Sequence, residues 1–196
     1  MKFRTAATAA LALSAALVLA GCSAGNEDDS MPGMDHGSSE QAADVNDADV
    51  MFASMMIVHH EQAIEMSDIV LAKDGVAPEV IELAEAIKAA QGPEIEQLQG
   101  WLEDWGVNPE EHQMGGMDHG DGMMTEDDLA ALESADGAEA SRLFLEQMIA
   151  HHEGAVEMAQ TQVDDGSNPD AIELAQTIID AQTTEIQEMQ DLLTAP

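Results

Sequence analysis

From Phe52 to Val70 the apolar side chains gather on one face of a helix. At about 100° per residue, Phe52, Met55, Met56, Ala63, Met66 and Val70 all lie within about 60° of His59, while Glu61, Glu65 and Asp68 point the opposite way. His60 falls on the shoulder of that stripe, one turn from Met56. The pattern returns further along, where His151 lies among Phe144, Met148, Ala155 and Met158, with Glu153 and Glu157 facing outward. Each stretch is followed by a polar loop and a second amphipathic run opening on a proline, Pro78 or Pro169. Proline suits the first turn of a helix because its missing N–H would have no partner there. The pattern predicts helices from about Asp47 to Lys73, from Pro78 onward, from about Ala138 to Val163 and from Pro169 to Thr194. A short helix from Glu126 to Ser134, led by Thr125 as N-cap, is expected between the halves. Gly92 and Pro93 fall inside the second helix where the fourth has Thr183 and Thr184, which predicts a kink rather than a break.

The repetition extends along both hairpins. Residues 52–102 align with 144–193, placing His59 and His60 on His151 and His152, and Glu65 and Met66 on Glu157 and Met158. After one deletion in the loop, Pro78 falls on Pro169, and Gln91 and Glu94 fall on Gln182 and Glu185. A lone helical hairpin leaves its apolar stripe in water. Two copies are therefore expected to pack together as an all-α, four-helix bundle built from duplicated hairpins.

Ahead of the bundle the character of the chain changes. Lys2 and Arg4 precede an apolar run from Ala6 to Ala20, which reads as a secretory signal too short to span a membrane comfortably. It ends in Leu19, Ala20, Gly21 and Cys22, a match to the bacterial lipobox, in which the cysteine becomes the lipid-modified first residue of the mature protein. The expected organisation is a signal peptide at 1–21, a flexible tether at 22–45 and the bundle at 46–196, with a Met- and His-rich loop at 106–125. Such a chain works outside the cytoplasm, anchored to the outer face of the cell membrane through Cys22. Cys22 is the only cysteine, so an internal disulfide is excluded and no metal site can be built from several thiolates.

The 196 residues carry 40 acids against five Lys and Arg, a formal charge of -35. Nucleic acid is excluded as a partner, since such a surface repels phosphate and concentrates cations. Oligomeric state is not legible.

Paired histidines in an apolar stripe need an explanation. A lone buried imidazole is commonly a neutral group bonded to a neighbour, and Met on a helix commonly fills core space. Four imidazoles buried without partners would cost on the order of a few kcal/mol. A bound metal would relieve that cost, and so would a dedicated hydrogen-bond network. A second pattern lies outside the helices. MPGMDHG at 31–37 and MGGMDHG at 114–120 repeat the same spacing, placing Met31, Met34 and His36, and Met114, Met117 and His119, among Gly and Asp where no core needs filling. Thioether sulfur is a soft neutral donor matched to Cu(I), and imidazole also serves Cu(II), so these clusters favour copper, Cu(I) above Cu(II).

The Met, two residues, His-His pattern followed by an Ala, Glu-Met run and a downstream Gln, Glu-Ile helix resembles the bacterial domain-of-unknown-function family numbered three hundred and five, over about residues 46–196 in two copies. The resemblance implies a ferritin-like four-helix bundle and, from members that are periplasmic or secreted, a role in copper binding and resistance. Carried over by position, it implies Met56, His59, His60 and Met66 with Met148, His151, His152 and Met158 as the binding set.

Rival readings fit less well. A di-iron carboxylate enzyme needs Glu followed three residues later by His, and no such pair occurs. The His-Glu-x-x-His zinc motif is also missing. A non-metal acidic adaptor would account for the charge but not for the histidines. The sequence therefore leads us to expect a copper-binding lipoprotein that sequesters or passes on the ion, without catalysis.

Overall fold

The computed structural model describes residues 45–107 and 122–194. The signal segment with Cys22 and both Met-Asp-His heptapeptides (Met31, Met34 and His36; Met114, Met117 and His119) lie outside the described residues. The described chain forms five helices: α1 Asp47–Leu71, α2 Pro78–Asp104, α3 Glu126–Ser134, α4 Gly137–Asp165 and α5 Pro169–Thr194. α1 stops two residues before the expected Lys73, and α4 begins one residue earlier and ends two later than its apolar pattern suggests. α2 runs through Pro93 without interruption. No helix among the described residues is long and apolar enough to cross a membrane.

Local chemistry sets the ends. Asn46 and Asp49 form a reciprocal capping box on α1, and Thr125 and Asp128 do the same on α3. Asp136 caps α4 by accepting from the Glu139 N–H. α2 and α5 both open on proline and are completed from the other hairpin. Ser141 of α4 accepts the Ala77 N–H at 3.0 Å. At the matching position of α1, the fully buried Asp49 accepts the N–H groups of Ser167 and Asn168 and the Gln162 side-chain amide. These two sets of bonds tie the start of each first helix to the loop of the opposite hairpin, so α1 and α4 lie antiparallel and the halves are related by a pseudo-twofold axis.

Each hairpin packs internally, α1 on α2 and α4 on α5, and the two are joined through α1 and α4. The buried apolar residues form two separate clusters. One gathers Ala63, Met66 and Val70 of α1, the first half of α2, the first half of α4, and Met189. The other gathers Phe52 and Met56 of α1, Leu98 and Leu102 of α2, Ala155 and Ala159 of α4, and the first half of α5. The clusters exchange under the pseudo-twofold axis, and the histidines lie between them.

The axis is broken by α3. Leu132 is fully buried in the first cluster, with Leu129 packed beside it. The Gln62 side chain bonds both the N–H and the carbonyl of Met124, and Lys73 donates to the Glu133 and Ala135 carbonyls. This segment thus covers the groove between α1 and α4 at one end only. Its turn at Gly122 has a positive φ of 101° and passes so close to the α4 backbone that a Cβ would meet the Ala150 carbonyl oxygen at 2.6 Å.

Candidate metal centre

Near the middle of α1 and α4, His59 and His151 face each other across the pseudo-twofold axis, with ring centroids 3.7 Å apart and planes tilted by 42°. Both are buried, and neither ring nitrogen of either residue has a hydrogen-bond partner. Burial pushes the His59 pKa down from 6.5 to about 3, helped by the neighbouring His60 and His152. Burial also drives His151 well below the ordinary histidine value, with His59, His152 and His60 adding to the effect. Both imidazoles are therefore neutral at physiological pH, each presenting one lone pair, which is the form that binds metal.

His60 and His152 turn toward the second helix of their own hairpins. His60 Nε2–H donates to Glu94 Oε2 at 2.8 Å, and His152 Nε2–H donates to Glu185 Oε2 at 2.7 Å. Both imidazoles are fully buried, while the glutamate side chains keep 20% of their surface in water. Donation through Nε2 leaves the lone pair on Nδ1, and both Nδ1 atoms are buried without a partner. A carboxylate that accepts from one imidazole nitrogen fixes the ring and its tautomer, and so raises the basicity of the other nitrogen, as it does for metal-bound histidine.

Met56 and Met148 lie one turn before His60 and His152 and are fully buried, Met56 in the second apolar cluster and Met148 in the first. They bracket the histidine layer from its two sides. Met66 packs in the first cluster, nearly two turns from His59. Its counterpart Met158 is only half-buried and lines a surface groove instead. The structure thus gathers four imidazoles into one layer, with Met56 and Met148 in the apolar clusters that flank it, Met66 deeper in the first cluster and Met158 at the groove.

Among the described residues, no three His, Cys, Asp or Glu side chains form a ready metal-binding group. Glu94 and Glu185 are each engaged by a histidine of their own hairpin, His60 and His152. The donors left free are neutral nitrogen and sulfur atoms, a soft set. The two glutamates were missed by the helical-wheel reading, which looked for carboxylates on α1 and α4 and found Glu61 and Glu65 facing water. Their signal was the duplication, which aligns Gln91 and Glu94 with Gln182 and Glu185, a buried glutamine three residues before a glutamate in both second helices.

The model of the family described as "Domain of unknown function (DUF305)" matches residues 49–193. Among solved structures, a DUF305 protein from Streptomyces coelicolor designated as secreted is similar with a TM-score of 0.68 and 35% identity, over 74% of this chain and 91% of that one. A DUF305 fragment from Deinococcus radiodurans gives a TM-score of 0.66 and 30% identity, over 76% and 97%. CopM in its Cu(I)-bound form gives 0.61 and 33%, over 74% and 94%, and its Cu(II)- and Ag-bound forms are also similar. No curated protein matches the chain.

Proposed function

The chain belongs to the DUF305 family, and we propose that it binds copper as cargo in the histidine layer of its bundle, sequestering the ion or passing it on outside the cytoplasm. The observation that carries this reading is the set of buried ring nitrogens of His59, His60, His151 and His152 left without partners. Each such group costs about 1–3 kcal/mol while unsatisfied, a cost that a bound ion offsets. Copper in the structures of CopM, a protein of the same fold, supports the choice of metal.

The chemistry of the layer favours the monovalent ion. Its donors are uncharged, and the cost of burying an ion rises steeply with its charge, so a single positive charge is accommodated far more easily than two. Glu94 and Glu185 stand behind the imidazoles and balance that charge from the rim. His59 and His151 need lose no proton on binding because burial already keeps them neutral. The segments at 31–37 and 114–120 collect the ion through Met and His, and lipid on Cys22 holds the protein to the outer face of the membrane. The lipobox sequence supports the anchor and the heptapeptide repeat supports collection. No catalytic role is assigned.

The test is a titration of dialysed apo-protein with Cu(I) against a competing chelator, beside a variant with Ala at His59, His60, His151 and His152. Tight binding is expected in the natural chain and its loss in the variant. Affinity no greater than that of an unrelated acidic protein would leave the adaptor reading in its place.

A further inference from the structure

The pseudo-twofold axis predicts two equivalent grooves between α1 and α4, one at each end. α3 fills the first, above Leu143, Gln147, Met66 and Ile69. Among the described residues the second is open, a cavity of about 400 Å³ between the first half of α1 and the last turns of α4. At the positions matching Leu143, Gln147 and Met66, its lining carries Met51, Met55 and Met158, with Asp47 and Asp165 at the ends of the two helices. Met51 is 47% exposed, one of two large apolar side chains so exposed among the described residues. Methionine whose purpose is to fill core space belongs under a cover, as Met66 does. Here three methionines converge on a groove that the described chain does not cover.

Position along α1 adds a second observation. Met51, Met55 and His59 follow one another at intervals of four residues, so they form a single row down one face of the helix. On α4, Met158 lies seven residues beyond His151, two turns along the same side. The row begins at a solvent-exposed methionine and ends at a buried imidazole without a hydrogen-bond partner.

We propose that Met51, Met55 and Met158 form a separate surface site for a monovalent soft cation, Cu(I) or Ag(I), from which the ion passes to His59 and His151. The hand-over rests on the reading of the histidine layer given above, whereas the surface site does not. Three thioethers are a neutral set that selects soft monovalent ions over Zn(II) or Mg(II). The neighbouring carboxylates of Asp47 and Asp165 add long-range attraction for any cation. The transfer is a ligand exchange in which sulfur–metal bonds break as nitrogen–metal bonds form. The ion keeps its oxidation state throughout.

The test uses Ag(I), which avoids redox chemistry, and the full chain carrying 13C-methyl methionine, beside the variant M51L/M55L/M158L. Ag(I) is expected to shift the methyl resonances of Met51, Met55 and Met158 before the imidazole resonances of His59 and His151. The variant should bind about one equivalent less, with unchanged helical circular dichroism, and should load its histidines more slowly. Static methyl resonances at these three residues, with moving imidazoles, would overturn the surface site and leave the histidine centre standing. Moving methyls with static imidazoles would uphold the site and overturn the centre. Equal shifts at Met123 and Met124, which lie outside the groove, would mean indiscriminate thioether binding and would also overturn it. An unchanged loading rate in the variant would remove the hand-over.

Discussion

His59 and His151 are more than ninety residues apart in sequence, yet their ring centroids lie 3.7 Å apart at the centre of the bundle, and neither ring makes a hydrogen bond. A folded chain tolerates such a pair at the expense of its own stability. Replacing both with leucine removes two buried polar rings at once and fills the space with apolar atoms. The apo form of H59L/H151L should therefore be more stable than the natural chain by about 1–3 kcal/mol, even as Cu(I) affinity collapses. Urea unfolding of both apo-proteins, with competition titration alongside, checks this, and a destabilised double variant would count against unpaired rings.

On the proposed reading, Glu94 and Glu185 support the metal from behind His60 and His152, to which they are hydrogen-bonded. E94Q and E185Q keep a hydrogen-bond acceptor but lose the carboxylate charge behind the imidazole. Each should weaken Cu(I) binding by about 10–100-fold with little change in helical content. A calorimetric or chelator-competition isotherm for each variant supplies the measurement.

Acid should loosen the apo-protein in a defined window. His59 titrates near 6.5 when unfolded but at about 3 when folded, and His151 is displaced in the same direction. Between those values the unfolded chain binds more protons, so acidification favours unfolding. The contribution from His59 is complete above 6.5 and is lost as the pH falls toward 3, at about 1.4 kcal/mol per pH unit, and His151 adds to it in the same direction. Urea midpoints measured across this window should fall more steeply for the natural chain than for H59L/H151L.

The two ties between hairpins differ in strength by their chemistry. Asp49 is buried and accepts from Asn46, Gln162, Ser167 and Asn168, whereas Ser141 accepts from Ala77 alone while donating to the Gly137 carbonyl. D49A leaves several donors unpaired and should cost about 3 kcal/mol or more, while S141A should cost about 1 kcal/mol. Thermal unfolding of the two variants side by side ranks them.

Much of this architecture was legible in the residues themselves. Helix starts are local events, so Pro78, Thr125 and Pro169 announced them, and the apolar stripe around His59 and His151 announced the buried face. Relations between helices were not local. A glutamate on an amphipathic helix reads as solvated until the histidine it meets is known, and Glu94 lies 34 residues from His60. That α3 would cover one groove and leave its counterpart open was equally hidden, because Leu132 announces a buried side chain without saying against which end of the bundle. Met158 shows the same limit, since its sequence match to Met66 hides the different covers that the two positions receive.

The pseudo-twofold axis through the paired imidazoles has a consequence for ancestry. A primordial polypeptide of half this length, one hairpin long, would have gained the same central contact by self-association, each ring meeting its own duplicate across a true dyad. Fusion of two such genes would have freed the copies to diverge, one flank acquiring a covering helix while the other kept its exposed sulfurs.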